Sequence, residues 1–341
     1  MQYKIEKNDL SALIDILTSV YDLFGPVKTD GLTKLARIKS ANNLELDSLN
    51  TDESAKDIFF PQYDTIFDFK DGEIKNEFNK NRPIAIFGIR PCDAKSFLIL
   101  NKAFNNGGVN DSYWNQRYTD AMIFAIGCNT PSQTCFCNWV NQGPFNKEGT
   151  DIFLTDMGDD FMVESCSSKG DDFLKNVSKI TLQNPDHGDL DKVNQIKREA
   201  EILMSEKLDI APLKSILDTL LLDSPLWNEI SAKCLSCACC TYLCPTCHCF
   251  DIQDEKKPGT NQGNRVRMWD SCMFSLFTKE ASGHNPRPTI ASRMRQRIMH
   301  KFNYFVENFG EIACVDCGRC VRTCPVNLDI RGIIKRIKNE G

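Results

Sequence analysis

No apolar run in this chain is long enough to cross a bilayer. The longest, at 84–89 and 121–126, fall far short of the roughly 20 residues that a spanning helix needs. The N-terminal stretch carries Lys4, Glu6, Lys7 and Asp9 among its apolar residues, which is not the pattern of a secretory signal. These two absences predict a soluble, cytosolic protein. No GxGxxG follows a strand-like run, and there is no GxxxxGK[ST] loop, so no recognised motif binds a dinucleotide. No acid–base or nucleophile pair stands out. The net charge is only −5, so nothing at whole-chain level points to nucleic acid. The length of 341 residues suggests about two domains, and 41% hydrophobic residues suffice for ordinary cores.

Against these absences stand 17 cysteines. In a reducing compartment they argue for metal binding or redox chemistry rather than structural disulfides. Twelve lie between Cys234 and Cys324; the other five are Cys92, Cys128, Cys135, Cys137 and Cys166.

One pattern occurs twice. Cys234, Cys237, Cys240 and Cys244 precede Pro245, and Cys314, Cys317, Cys320 and Cys324 precede Pro325. The spacing is two, two and three residues, then proline. Three closely spaced cysteines wrap a tight loop around three corners of a cubane, and the fourth serves the other cluster. The expected ligand sets are therefore Cys234, Cys237, Cys240 and Cys324 for one [4Fe–4S] cluster, and Cys314, Cys317, Cys320 and Cys244 for the second. The proline cannot donate a backbone hydrogen bond and helps turn the chain. The alternative is a pair of structural zinc sites, which usually combine two short CxxC or HxxxH elements instead. Cys244 and Cys314 are 70 positions apart, far more than a minimal ferredoxin requires. The insertion therefore has a task of its own, such as contact with a partner.

Upstream, Leu10, Leu13, Ile14, Leu17, Tyr21 and Phe24 recur at helical spacing after Asn8 as the expected cap, with Gly25-Pro26 as the stop. A strand is expected near 35–38, and Phe59-Phe60-Pro61-Gln62 should break regular structure. The run 84–89, a helix from 94 to about 104, and the run 121–126 predict a βαβ unit with parallel strands. The segments 152–154 and 161–163 predict a hairpin, and 189–222 two helices. The two parallel strands end just before Cys92 and Cys128. Strand ends of this kind share one edge, where ligands commonly bind. Cys135 and Cys137 follow on the next loop. These four thiols on one rim are enough for a third [4Fe–4S] cluster; free thiols or a zinc site are the alternatives.

Cys247, Cys249 and Cys272, with His248 nearby, could supply three further metal ligands or simply pack as small apolar groups. Cys166 and Cys239 are expected to be ordinary thiols. From Arg287 to Lys301 the chain carries Arg287, Arg293, Arg295, Arg297, His300 and Lys301 and no acid. A solvated basic helix is the plain expectation. The sharper one is that this segment offsets cluster charge or docks an acidic partner.

Phe60-Pro61-Gln62, Arg90-Pro91-Cys92-Asp93, Thr134-Cys135-Phe136-Cys137, Cys244-Pro245-Thr246-Cys247-His248-Cys249, Trp269-Asp270-Ser271-Cys272 and Cys317-Gly318-Arg319-Cys320 together resemble one family. It is the dicluster iron–sulfur subunits typified by the beta subunit of sulfhydrogenase and by the corresponding iron–sulfur subunit of anaerobic sulfite reductase. The chain departs from that pattern at Asn138-Trp139-Val140, where the family often has Ser-Met-Gly, and at the additional Cys239. The resemblance implies an electron-transfer subunit of a multi-subunit oxidoreductase. Its partners would be a flavin subunit handling NAD(P)H and a terminal hydrogenase, sulfite reductase or heterodisulfide-reductase-like subunit. A stand-alone redox enzyme working at the N-terminal rim or through an unrecognised flavin is the alternative, and a zinc-bearing interaction module a third. The expected fold is α+β: an N-terminal α/β domain over 1–185, a helical bridge over 186–232, and a ferredoxin-like dicluster domain over 233–341 with a long insertion between its motifs.

Overall fold

The computed structural model describes residues 1–75, 82–178 and 180–340. Its strands, in chain order, are β1 (Gln2–Glu6), β2 (Asp22–Thr29), β3 (Leu32–Arg37), β4 (Tyr63–Lys70), β5 (Glu73–Lys75), β6 (Ile84–Ile89), β7 (Asn105–Asn106), β8 (Val109–Asn110), β9 (Met122–Ile126), β10 (Ile152–Asp156), β11 (Asp160–Ser165), β12 (Phe250–Lys256) and β13 (Gln262–Trp269). The protein is mixed α+β and forms two compact units. One comprises Met1–Phe59, Asn81–Leu208 and Val315–Cys317; the other comprises Phe60–Lys80, Asp209–Cys314 and Gly318–Gly341. Helix His187–Leu203 belongs to the first unit, and helices Leu213–Thr219 and Leu226–Ser231 to the second. Periodicity missed the last of these helices because six residues hold less than two turns.

The first unit is built on a seven-stranded sheet of order β1-β11-β10-β9-β6-β2-β3. Its centre is parallel, β2 with β6, β6 with β9, and β9 with β10, while the β2–β3 hairpin closes one edge and the β10–β11 hairpin, with β1 antiparallel on β11, forms the other. All five residues of β9 are buried, as are Ala85 to Ile89 of β6. Continuous apolar runs of this kind suit strands covered on both faces. Helix Pro91–Phe104 leaves the end of β6, with Pro91 in its first turn and Arg90 extended before it. Leu13, Ile14 and Leu17 join Ile5, Phe87, Phe124, Leu154 and Val163 in the main core.

One expected boundary is wrong. The first helix spans Leu10–Val20, with Asp9 rather than Asn8 at its cap, and Phe24, Gly25 and Pro26 lie inside β2. Tertiary pairing overrides the helical period there. Asp22, Leu23 and Phe24 pair in parallel with Ile84, Ala85 and Ile86, which buries Leu23. Pro26 lies beyond that ladder, where a missing donor costs nothing on the β6 side. A Cβ at Gly25 would stand 2.4 Å from the end of the Leu44 side chain and 3.2 Å from the Phe87 carbonyl oxygen, so a larger residue there would push Leu44 aside.

The second unit contains an antiparallel sheet of order β12-β13-β4-β5. The long insertion between the cysteine motifs supplies the β12–β13 hairpin, and β4, from far upstream, pairs with β13. Arg267 of β13 and Asp64 of β4 form a buried ion pair at 3.2 Å. The Arg267 guanidinium also lies 5.1 Å from the Phe60 ring centre and 5.7 Å from that of Phe250. Removing one partner of a buried pair strands the other charge. Asp64→Ala should therefore lower stability by about 3–5 kcal/mol. A urea unfolding midpoint that barely moves would remove this pair from the account. The C-terminal helix Ile330–Glu340 buries Ile330, Ile333, Ile334 and Ile337 along one stripe and packs against helix Leu213–Thr219. Among the described residues, no helix is long and apolar enough to cross a membrane.

Candidate functional site

The two cysteine motifs share a backbone shape. In the first, Ser236 and Ala238 have φ of 54° and 63°; in the second, the corresponding Asp316 and Gly318 have φ of 52° and 74°. A short helix follows in each copy, Cys239–Tyr242 and Arg319–Arg322. A left-handed residue costs a non-glycine side chain of order 1 kcal/mol or more, so three of these four positions are strained. Backbone turns of this kind aim successive N–H groups into a concavity, as anion and iron–sulfur loops require. Two sulfurs already accept such bonds: Ser236 N–H donates to Cys234 Sγ at 3.4 Å, and Leu328 N–H to Cys324 Sγ at 3.2 Å.

In the second unit, Cys234, Cys237, Cys240 and Cys324 line one cavity, together with Cys239, Cys320 and Arg297. Met273, Met294, Val326, Leu328 and Ile333 supply its apolar wall. Burial pushes the Cys240 thiol up; Arg297 opposes this, and Cys234, Cys244 and Cys237 add to it. Such a pocket of crowded sulfurs facing a buried cation fits a group that needs thiolates and low polarity. The second motif is divided between the units. Cys314 and Cys320 lie with Cys244 in the second unit, and Cys317 lies in the first.

The basic segment is not a solvated face. In the helix Ile290–Met299 and the π-helical turn His300–Tyr304 that follows, Arg293, Arg297 and Lys301 recur every four residues and are all buried. Lys301 Nζ lies 3.3 Å from Cys244 Sγ, 3.0 Å from Thr246 Oγ1 and 2.9 Å from the Ala313 carbonyl. Burial pulls against the charge of this lysine. The Cys244, Cys247 and Cys314 thiolates outweigh that and hold it well above the ordinary lysine range. Arg297 is likewise held up against burial by Cys240, Cys320, Cys247 and Cys244. Burial, then His248 and Lys301, drive the neighbouring His300 down to about 3, so it stays neutral. Arg295 turns away and donates to the Leu222 carbonyl.

In the first unit, β6 and β9 end side by side, as parallel neighbours. A bulge at Gly88, with φ of 78°, shifts their register just before that end. Arg90 then ties the rim together, donating to the Gly127 and Leu46 carbonyls at 2.7 Å each and to that of Ser48. Cys92, Cys128, Cys135 and Cys137 line one pocket, with Cys317 and Asn50. Asn50 Nδ2 donates to the Cys317 carbonyl at 2.8 Å and lies 3.9 Å from Cys92 Sγ. Cys135 Sγ is 3.6 Å from the same carbonyl. Burial raises the Cys128 thiol to about 11 against the pull of Arg90, and burial also raises Cys137. Asn138 and Trp139, which depart from the family pattern, anchor this loop to the carbonyls of Ser205 and Glu206.

The remaining cysteines sit elsewhere. Cys272 hydrogen-bonds Cys249, which raises its thiol together with burial. His248 Nδ1 is 3.1 Å from the Thr246 carbonyl. Cys166 points at the Glu164 carbonyl at the end of β11. Among the described residues, no three His, Cys, Asp or Glu side chains converge on one point as ligands of a single ion. A cubane does not ask for that, since each of its four thiolates binds a different iron. Sequence reasoning missed Thr246, Asn50 and the place of Cys317 on the rim pocket. None of these carries a spacing signal, and only the fold brings them to sulfur.

Residues 233–328 match the 4Fe–4S dicluster domain family, so the chain is a dicluster iron–sulfur protein with two [4Fe–4S] clusters. Over 339 residues it is 30% identical to sulfhydrogenase 2 subunit beta of Pyrococcus furiosus, covering 99% of both chains. The chain belongs to this family of iron–sulfur oxidoreductase beta subunits. It is also 22% identical over 179 residues to F420-dependent formate dehydrogenase subunit beta of Methanocaldococcus jannaschii, covering 52% of this chain and 38% of that one. No solved structure matches it.

Proposed function

We propose that the chain is a cytoplasmic electron relay between a flavin subunit handling NAD(P)H and a terminal redox subunit of the hydrogenase, sulfite reductase or heterodisulfide-reductase type. The observation that carries this reading is the cavity on which Cys324, from the second motif, meets Cys234, Cys237 and Cys240 from the first. Exchanged ligands are what a two-cluster relay needs, because they hold the clusters side by side. Cys234, Cys237, Cys240 and Cys324 hold one cluster, and Cys314, Cys317, Cys320 and Cys244 the other. Cys92, Cys128, Cys135 and Cys137 hold a third, supported by their shared pocket at the strand ends. When bound, each cluster supplies one-electron transfer. The chain contributes thiolates, apolar walls and buried cations.

The relatives are named as subunits, which supports partners. Affinity purification of the full chain from its own cells should bring two further redox subunits, one of them flavin-binding. NAD(P)H should reduce its clusters only when the flavin subunit is present. Beside Cys128, a polar cleft lined by Asp47, Ser48, Arg90, Asn129 and Asp156 favours the second reading, an enzyme acting at this rim. Turnover of NAD(P)H or reduction of a small substrate by the isolated chain would select that reading and overturn the relay.

A further inference from the structure

The stripe Arg293, Arg297, Lys301 puts two different kinds of charge beside the sulfurs. Arg297 faces both motifs, since Cys240 and Cys320 are the thiols that bear on it most. Lys301 faces one sulfur directly. Its ammonium donates to Cys244 Sγ at 3.3 Å, and the Thr246 hydroxyl lies 3.2 Å from the same sulfur. The lysine is 3% exposed and Thr246 1%, so water does not screen this contact. Two further contacts, to Thr246 Oγ1 and the Ala313 carbonyl, fix the ammonium in place. Ala313 N–H in turn donates to the Lys301 carbonyl at 2.9 Å, which closes the turn just before Cys314. Cys234 and Cys324 receive backbone amide bonds, which are neutral. A charge-assisted bond is roughly twice as strong as a neutral one.

Reduction adds one negative charge to a group already carried on four thiolates. A buried cation bonded to one of those thiolates stabilises the reduced form more than the oxidised form. Hydrogen bonds to the sulfurs and net charge are the recognised levers on cluster potential. We propose that Lys301 raises the reduction potential of the cluster that takes Cys244, acting as a tuning residue rather than a ligand. The inference rests on Cys244 being a cluster ligand, as proposed above. Separately, Cys244→Ala tests that assignment, by loss of iron from the chain.

The test of Lys301 is a dithionite titration of the holoprotein followed by EPR, in which dithionite donates one electron to each cluster. Lys301→Met should shift the reduced-to-oxidised ratio of one cluster about tenfold toward oxidised at fixed potential, which is about 59 mV for a one-electron couple. The other midpoints should stay within a small fraction of that shift. Lys301→Arg should restore most of it. A purely structural lysine would change iron content or stability and leave the midpoints where they were. Full iron with no midpoint shift, or an equal shift of every cluster, would overturn the proposal. If the methionine variant fails to load iron, the unaltered chain still decides. Protein grown on ε-15N-lysine should show a 15N coupling in pulsed EPR of the reduced cluster, and its absence counts against Lys301.

Discussion

Cys324→Ala should remove about four irons per chain and one reduced-state EPR signal, and the signal lost should be that of the cluster held by Cys234, Cys237 and Cys240. Cys324 lines the same cavity as these three although 84 positions separate it from Cys240. Its Sγ accepts the Leu328 amide, which aims it inward. Without it the fourth iron has no protein thiolate, and the crowded Cys240 thiol, raised by burial, loses the group that would keep it ionised. The reciprocal substitution, Cys244→Ala, should spare this signal and remove the other. If Cys324→Ala removed only the signal of Cys314, Cys317 and Cys320, crossed ligation would be wrong. Anaerobic purification with iron, sulfide and EPR analysis of both variants decides between the two patterns.

A comparable loss is expected at the rim of the first unit. Cys135→Ala should remove a further four irons, roughly, and one paramagnetic signal, leaving both signals of the repeated motif intact. The reason is geometric. Cys92, Cys128, Cys135 and Cys137 share one pocket, although they arrive from two strand ends and a loop. Burial raises the Cys128 and Cys137 thiols, and a metal bound there would supply the positive charge that burial withholds. Cys166→Ala, outside the pocket, is the control and should change nothing. Unchanged iron in Cys135→Ala would reject the third cluster and return these cysteines to the status of buried thiols.

What could be foreseen differs from one part of the chain to another, for physical reasons. The cysteine motif is legible because cluster ligation is local: its spacing sets a loop, and the loop shows again as left-handed residues at Ser236, Ala238, Asp316 and Gly318. The central strands are legible because β6 and β9 are buried on both faces and read as unbroken apolar runs. The end of the first helix was not. Phe24 continues the helical period, yet a parallel partner 62 positions downstream draws it into the sheet. The partnership of β4 with β13 leaves no trace in the sequence either, because it joins segments about 200 positions apart. The basic segment was legible in composition but not in orientation. Arg293, Arg297 and Lys301 look like any solvated cations until the fold turns that face inward to the sulfurs.

The most direct test of the relay is a joint measurement of iron, acid-labile sulfide and zinc on the anaerobically purified full chain. Three cubanes predict about twelve irons and as many sulfides per chain, with the eight belonging to the repeated motif resistant to rim substitutions. Zinc in place of iron, or iron without sulfide, would contradict the account at its centre.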